Sequence, residues 1–224
     1  MKYIDIHTHP PIYNNSEVIS IVDISSLTPS ASISTPYCSY GIHPWFLNEE
    51  NVVSQLQQLE ILLENNAIIA IGEAGFDAIR GANMELQERT FEEVITLSEQ
   101  YQKPLIIHCV KAWDKLLALH KSRKVKQRWI IHGFHAHHEL ALQLNKRNIS
   151  LSFGSKLLKD TKLQSVFSKI PIDFLFLESD DSEVSIIDVY RTAATIKKMD
   201  AGMLKSVLFE NFTNIFSGVT DSPS

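Results

Sequence analysis

Residues 67–108, AIIAIGEAGFDAIRGANMELQERTFEEVITLSEQYQKPLIIH, contain an apolar run, a helical pattern and a second apolar run. The two runs, AIIAIGE (67–73) and PLIIH (104–108), are apolar almost throughout, which is typical of strands covered on both faces, as in a parallel sheet. Between them, residues 84–101 carry apolar side chains at the spacing of an amphipathic helix. The stretch therefore predicts a βαβ unit.

The same alternation of strand and helix extends along the rest of the chain. Six further apolar runs predict strands at residues 3–7, 17–24, 37–43, 128–132, 149–154 and 173–180. Six further helical patterns fall at residues 48–65, 112–121, 138–147, 159–169, 186–198 and 201–217. Eight strands alternating with helices predict an α/β fold, a TIM (β/α)8 barrel, formed by a single domain over residues 1–224.

The N-terminal quarter of the chain breaks this alternation. About nine residues separate the first two predicted strands, and residues 25–36, SSLTPSASISTP, are rich in serine, threonine and proline. Neither connection has room for a full helix. We therefore expect a barrel that lacks one or two outer helices at its start.

Composition and charge argue against several classes of protein. No apolar run approaches the roughly 20 residues that a membrane span needs, and Asp5 stands where a signal peptide would have its apolar core. The two cysteines, Cys38 and Cys109, indicate no disulfide framework. These features predict a cytoplasmic protein with no membrane partner, and no obligate protein partner is indicated. The net charge of −5 argues against sequence-independent binding of nucleic acid over a broad surface.

Six of the eight predicted strands end on a side chain that can bind metal or move protons. These residues are His7, followed closely by His9, and then His43, Glu73, His108, His132 and Asp180. A lone histidine at a strand end is more often structural, but the strands of a parallel barrel all end at the one face where active sites are built. Imidazole and carboxylate together suit zinc, manganese or magnesium. Four histidines and two acids would make six protein ligands, which exceed the three that a single catalytic zinc takes, so the set predicts two divalent metal ions.

Seven short motifs occur in order along the chain: HTH (7–9), GIHPW (41–45), AIGEAGFD (70–77), QKPLIIH (102–108), IIHGF (130–134), LESD (177–180) and NFTNIF (211–216). Together they resemble the TatD family of metal-dependent hydrolases, which belongs to the amidohydrolase superfamily of TIM barrels. Many members of that family are described as metal-dependent deoxyribonucleases. The resemblance runs from residue 5 to residue 216, which is nearly the whole chain.

The resemblance implies a role for each strand-end residue. His7, His9 and Asp180 would hold one metal ion, His108 and His132 the other, and Glu73 would bridge the two. Asp180 would also take the proton of the attacking water, which makes Asp180 and Glu73 the expected catalytic residues. His43 is not an expected ligand: it either lines the pocket and contacts the substrate, or it belongs to a rigid loop.

Several residues depart from the family pattern. Where relatives carry an arginine and then an acid after the fourth ligand strand, this chain has Val110 and Lys111. Valine cannot imitate the fork of donors on a guanidinium, although Lys111 restores one positive charge. The segment after His132 introduces His135, which we expect, with His43 and Lys111, among the substrate-binding residues. After Asp180 come two further acids, Asp181 and Glu183, which would repel a polyanion.

Two more acids lie beside predicted ligands. Asp77 either supports the Glu73 loop by hydrogen bonds or faces the pocket, and Glu178 is expected to be a hydrogen-bonding partner of a ligating histidine.

The sequence thus favours a dinuclear metal-dependent hydrolase, with DNase-like cleavage of phosphodiesters as the leading activity. A hydrolase of a small amide, ester or phosphate substrate is the first alternative, favoured by the acidic charge and the missing arginine. A non-catalytic metal-binding protein is the second, and the intact pair of Glu73 and Asp180 argues against it.

Overall fold

The computed structural model describes residues 1–10, 15–26 and 37–216. The chain forms two compact units. The first unit combines Met1–Val22 with Ile130–Ser224, so both ends of the chain contribute to it, whereas the second is the continuous stretch Asp23–Trp129.

The first unit is a parallel sheet with helices. Its strands are β1 (Tyr3–Thr8), β2 (Val18–Asp23), β6 (Trp129–Ile131), β7 (Ser150–Phe153) and β8 (Leu175–Leu177). Strand β1 pairs with β2, β6 with β7, and β7 with β8, all in parallel. A parallel bridge between Thr8 and Asp180 joins β1 to the segment that follows β8, so the first and last strands are neighbours. The helices are α4 (His138–Asn145), α5 (Thr161–Lys169), α6 (Ile186–Lys197) and α7 (Ala201–Ile215).

The second unit contains the stretch with which the sequence analysis began. Its strands are β3 (Cys38–Tyr40), β4 (Ile68–Asp77) and β5 (Leu105–Val110), which pair in parallel in that order. Its helices are α1 (Val52–Leu63), α2 (Met84–Tyr101) and α3 (Trp113–Arg123). The predicted βαβ unit is therefore β4, α2 and β5.

Local sequence explains why α2 forms where it does. The Asn83 side chain accepts a hydrogen bond from the backbone N–H of Leu86 and so caps the first turn. The helix ends at Gln102, whose backbone is left-handed with a φ of 54°. On the buried face, the Phe91 ring lies 5.3 Å from that of Phe76 on β4. This packing fixes the helix against the strand that carries Glu73.

Some element boundaries differ from the predicted ones. Strand β4 continues past Glu73 to Asp77, whereas β3 ends at Tyr40 and β8 ends at Leu177. As a result His43 and Asp180 lie in loops after their strands instead of ending them. At Asp180 the reason is visible in the backbone, whose φ of 54° no strand residue adopts.

The expectation of missing outer helices concerns the connections between the first three strands. The described residues of those connections form no helix. Most of residues 25–36, and residues 11–14 of the first connection, lie outside the described part of the chain. The single-domain organisation stays a prediction.

Among the described helices, none combines the length and the apolar character needed to cross a bilayer. The cytoplasmic localisation stays a prediction.

Candidate metal centre

Three donors of the first unit converge on one point. His7, His132 and Asp180, here called the first cluster, each offer a ligand atom within 4.8 Å of the others. His7 Nε2 lies 3.7 Å from Asp180 Oδ1, and the His7 and His132 rings are 4.6 Å apart. His7 is fully buried, while Asp180 is 34% exposed. The first cluster thus has a buried base and an accessible carboxylate.

The backbone at the ends of β1 and β8 holds the first cluster in place. The N–H of Asp180 donates to the carbonyl of His7 at 3.0 Å, and the N–H of His9 donates to the carbonyl of Asp180 at 3.4 Å. The Asp180 carboxylate also reaches His9, whose Nε2 lies 3.5 Å from Oδ1. Asp180 therefore faces both histidines of the HTH motif.

A buried carboxylate that sequence reasoning missed fixes the residue before Asp180. Asp5 accepts hydrogen bonds from the backbone N–H of Ser179 at 2.8 Å and from its hydroxyl at 2.6 Å. Burial raises the pKa of Asp5 to about 7, although the bonds from Ser179 oppose that rise. The available signal was an acid inside an otherwise apolar strand, on the same strand face as His7.

Glu178 lies beside the first cluster, and its predicted hydrogen bond to a ligating histidine stays a prediction. Its side chain is 1% exposed, and burial raises the pKa of Glu178 above its usual value. The nearby His132 opposes this rise. One carboxylate oxygen accepts the backbone N–H of Gly133 at 2.5 Å. Glu178 thereby fixes the residue that directly follows His132.

The second unit contains a comparable group. His43, Glu73 and His108, here called the second cluster, also offer ligand atoms within 4.8 Å of one another. Glu73 Oε1 lies 3.0 Å from His43 Nε2 and 2.6 Å from His108 Nδ1. All three side chains are about nine-tenths buried or more. The same carboxylate oxygen of Glu73 therefore contacts both imidazole rings.

Asp77 organises the surroundings of the second cluster. Its Oδ2 accepts the indole N–H of Trp45 at 2.7 Å and lies 3.2 Å from His108 Nε2. Its Oδ1 accepts the backbone N–H groups of Ile79 and Arg80 at 2.8 and 2.9 Å. Burial alone would raise the pKa of Asp77, but these hydrogen bonds lower it to about 2. Asp77 is therefore ionised and supports His108 directly.

The His43 ring has a defined tautomer. The backbone N–H of Trp45 donates to His43 Nδ1 at 3.1 Å, so Nδ1 carries no proton. In the neutral ring the proton is then on Nε2, which faces Glu73 Oε1. In this arrangement His43 acts as a hydrogen-bond donor to Glu73. That His43 is not a metal ligand stays a prediction.

Close backbone packing positions Glu73. Its N–H donates to Asp23 Oδ2 at 3.2 Å, and Asp23 in turn accepts the N–H of Ser25 at 2.7 Å. A side chain at Gly41 or Gly75 would collide with the backbone of Glu73 or His108, so only glycine fits at these two positions. Asp23 was also missed from sequence, although it is an acid one residue before the end of the second predicted strand.

The remaining predicted site residues lie outside these two clusters. His135 pairs through Nε2 with Asp160 Oδ2 at 2.8 Å and is half exposed. Lys111 is exposed directly after β5, with a left-handed backbone at a φ of 52°. Their substrate-binding roles stay predictions.

Within each unit, the structure brings some of the candidate ligands together. It places His132 with His7 and Asp180, and it places His108 with His43 and Glu73. Imidazole nitrogens and carboxylate oxygens at this spacing fit a divalent metal ion. The bridging role of Glu73 and the distribution of ligands between two ions stay predictions.

Comparison with known proteins identifies relatives of this chain. Residues 19–217 match the family model described as TatD related DNase. The chain is 25% identical over 248 aligned residues to the uncharacterized metal-dependent hydrolase MJ1582 of Methanocaldococcus jannaschii, a match covering 96% of this chain and 97% of that protein. It is 27% identical over 155 residues to the uncharacterized metal-dependent hydrolase YjjV of Escherichia coli K12, which covers 67% of this chain and 60% of the length of YjjV.

Solved structures confirm the predicted fold class. The crystal structure of YjjV, a TatD homologue, superposes with a TM-score of 0.81 at 21% identity, covering 97% of this chain and 98% of that one. A TatD-family hydrolase from Entamoeba histolytica gives a TM-score of 0.79 at 18% identity, covering 97% and 99%. The fold is thus the parallel α/β arrangement of a TIM barrel, as predicted. With a family model matching most of its length, this chain belongs to the TatD related DNase family of metal-dependent hydrolases.

Proposed function

We propose that this protein is a dinuclear metal-dependent phosphodiesterase that cleaves DNA. The observation that carries the proposal is the convergence of imidazole and carboxylate donors in each of two clusters, one of them around an accessible aspartate. The name of the matched family supports a nucleic acid substrate. Zinc, manganese and magnesium are the candidate metals for such a donor set.

The residues of the first cluster have distinct roles in this proposal. His7, His132 and Asp180, together with the adjacent His9, would hold metal through their imidazole nitrogens and carboxylate oxygens. Bound divalent ions lower the pKa of water and neutralise charge that develops on a phosphoryl oxygen. The Asp180 carboxylate is the proton acceptor for the attacking water, since it is 34% exposed and therefore open to solvent and substrate.

The residues of the second cluster support the same reaction. Glu73 and His108 would hold metal, while the Nε2 proton of His43 gives Glu73 a hydrogen bond that fixes the orientation of its carboxylate. Asp77 keeps His108 in position from the opposite side of the ring.

A second candidate activity is hydrolysis of a small ester, amide or phosphate substrate. Asp181 and Glu183 are both exposed next to Asp180 and oppose the approach of a polyanion. Val110 removes a cation from the position where relatives carry arginine. Both activities use the same clusters and differ in the substrate that is accepted.

The test begins with protein loaded with zinc, manganese or magnesium and analysed for metal content. Hydrolysis of bis(4-nitrophenyl) phosphate and of a single-stranded oligodeoxynucleotide is then compared with that of small nitrophenyl esters and anilides. We expect about two metal ions per chain and preference for the phosphodiesters. Preference for the esters or amides would favour the second candidate instead.

One substitution isolates the proton acceptor. We expect Asp180→Asn to retain at least one metal ion per chain but to lower phosphodiester turnover by about a factor of 10²–10⁴. The matched control is Asp181→Asn, which changes the next carboxylate along the chain and should leave turnover within about twofold. Undiminished turnover in Asp180→Asn would overturn the assignment.

A further inference from the structure

An exposed cation lies beside the second cluster, on the loop between β4 and α2. The Arg80 guanidinium carbon is 3.9 Å from the centre of the Trp45 ring. The Trp45 ring itself lies 4.8 Å from the His43 ring and 5.7 Å from the His108 ring. A single aromatic side chain therefore separates the guanidinium from two members of the second cluster.

The backbone on both sides of Arg80 is held firmly. The Asp77 carboxylate, which supports His108, also accepts the backbone N–H of Arg80 at 2.9 Å. The N–H of Ala82 donates to the carbonyl of Pro44 at 3.1 Å. At Gly81 the φ is 101°, and a side chain there would collide with the Pro44 carbonyl. The loop that carries Arg80 is thus hydrogen-bonded to the segment that carries Trp45.

The charge on Arg80 is available to a ligand. Its side chain is exposed, and among the described residues no carboxylate forms an ion pair with it. A guanidinium stacked on an indole keeps its N–H edge free to bind a phosphate with two parallel hydrogen bonds. The same loop touches Val110, whose carbonyl accepts the N–H of Ala78 at 2.9 Å. Arg80 therefore provides a cation next to a position where Val110 offers none.

An exposed aromatic ring completes the arrangement. Phe46 is 64% exposed, and its ring lies 5.6 Å from that of His43. A flat, accessible ring is the surface on which unpaired nucleobases stack.

From these contacts we infer a nucleotide subsite in which Arg80, backed by Trp45, binds a phosphate next to the scissile one and Phe46 stacks the adjoining base. The inference rests on the proposed phosphodiesterase function and specifies its substrate as a single-stranded DNA chain. We assign a neighbouring phosphate to Arg80 because its guanidinium stacks on Trp45, whose ring contacts His43 and His108.

The test measures binding by the metal-loaded, full-length protein. The probe is a fluorescein-labelled single-stranded octadeoxynucleotide with phosphorothioate linkages, which keep the charge of the backbone and resist hydrolysis. Fluorescence anisotropy gives the Kd at several salt concentrations for the wild type, Arg80→Ala, Arg80→Lys and Phe46→Ala. The matched control is Arg89→Ala, because Arg89 is exposed in the same unit but paired with Glu49.

Each variant has its own expected signature. Arg80→Ala should raise the Kd about tenfold and reduce the slope of log Kd against log salt by about 0.7, the value for one lost phosphate contact on a single strand. Arg80→Lys should keep the slope but weaken binding, because lysine cannot bind a phosphate through two parallel N–H bonds. Phe46→Ala should weaken binding about tenfold with an unchanged slope, since stacking releases no counterions. Arg89→Ala should match the wild type.

Parallel assays with bis(4-nitrophenyl) phosphate separate the two proposals. If the wild type hydrolyses this compound but Arg80→Ala has the wild-type Kd and salt slope, the subsite is wrong and the proposed function stands. If the metal-loaded wild type hydrolyses no phosphodiester at all, the proposed function fails and the subsite fails with it.

Discussion

At the scale of single residues, Asp77 shows how one carboxylate can serve a whole site. Both oxygens are committed, Oδ1 to the Ile79 and Arg80 amides and Oδ2 to Trp45 and His108. In an asparagine, an amide group would replace one oxygen and direct its own donors at two existing donors. No rotation of the side chain avoids this conflict.

We therefore predict that Asp77→Asn weakens metal binding by about 10- to 100-fold, the usual effect of removing a group that orients a ligand. Competition with a chromogenic chelator measures the affinity. Asp114→Asn, an exposed acid in the first turn of α3, is the control and should bind metal as the wild type does. Equal affinities in all three proteins would show that His108 needs no support from Asp77.

The tautomer of His43 gives a second residue-scale prediction. Because Nδ1 accepts the Trp45 amide, His43 donates to Glu73, and we predict that His43 is not a metal ligand. We expect His43→Gln to keep the wild-type metal content, whereas His108→Gln loses the ion of the second cluster. Elemental analysis of proteins purified without chelator decides this. Loss of a metal ion from His43→Gln would make His43 a ligand and would require the ring to change its tautomer.

At the scale of elements, helix α5 owes its start to an ionised side chain. Asp160 accepts the backbone N–H groups of Lys162 and Leu163, and its pKa is lowered from 3.8 mainly by the Leu163 bond and then by His135. A carboxyl group whose pKa is lower in the folded state stabilises the protein above its unfolded pKa, and that stabilisation is lost as pH falls toward the folded pKa.

Asp160→Ala should therefore lower the midpoint of urea unfolding at pH 7. The difference in midpoint between this variant and the wild type should become smaller as pH falls below about 4. Asn83→Ala is the control, since Asn83 caps α2 with a group that does not titrate. Asn83→Ala should lower the free energy of unfolding by about 1 kcal/mol, and by the same amount at pH 7 and below pH 4. If the difference in midpoint between Asp160→Ala and the wild type did not change with pH, the charge of Asp160 would make no contribution to stability.

Much of the element pattern follows from local sequence. The βαβ unit of β4, α2 and β5 was predictable because apolar runs and a capped amphipathic helix are local signals. The short 3₁₀ helices at Ser155–Leu158 and Ile172–Phe174 were not predicted, since single turns of helix leave no periodic pattern to detect.

The site was predictable to a similar extent. The strand-end histidines and acids follow from periodicity together with the rule that parallel strands end at one face. The roles of Asp5 and Asp23 depend on partners 174 and 50 residues away, as do most contacts that orient the clusters. Sequence spacing carries no information about such pairs, so these residues emerge only from the structure.

At the scale of the molecule, contacts between the two ends of the chain hold the first unit together. The hydroxyl of Tyr190 on α6 accepts the N–H of Ile4 and donates to its carbonyl, both at 3.1 Å. Tyr190 is fully buried, so neither group of Ile4 has access to water when the hydroxyl is removed. Asp180 and Thr8 form a further bridge between the same two parts of the chain.

Tyr190→Phe should accordingly lower the free energy of unfolding by about 1–3 kcal/mol, the cost of leaving buried polar groups unsatisfied. Urea denaturation followed by circular dichroism measures it. Tyr3→Phe is the matched control, because Tyr3 packs its ring edge-on against Tyr190 and the substitution keeps that ring. Its effect should stay within about 0.5 kcal/mol. If the two substitutions lowered the free energy of unfolding equally, the hydrogen bonds of the Tyr190 hydroxyl would make no particular contribution to stability.

The discontinuity of the first unit also sets an order of events during synthesis. Ile4 leaves the ribosome at the beginning, whereas Tyr190 follows 186 residues later. At roughly 5–20 residues per second, that separation lasts about 9 to 37 s. The continuous stretch Asp23–Trp129, with His43, Glu73 and His108, is complete well before Ser179 and Asp180 have been translated. A nascent chain that ends between residues 132 and 179 would contain every member of the second cluster and only the histidines of the first, so such truncated products would lack the proposed proton acceptor.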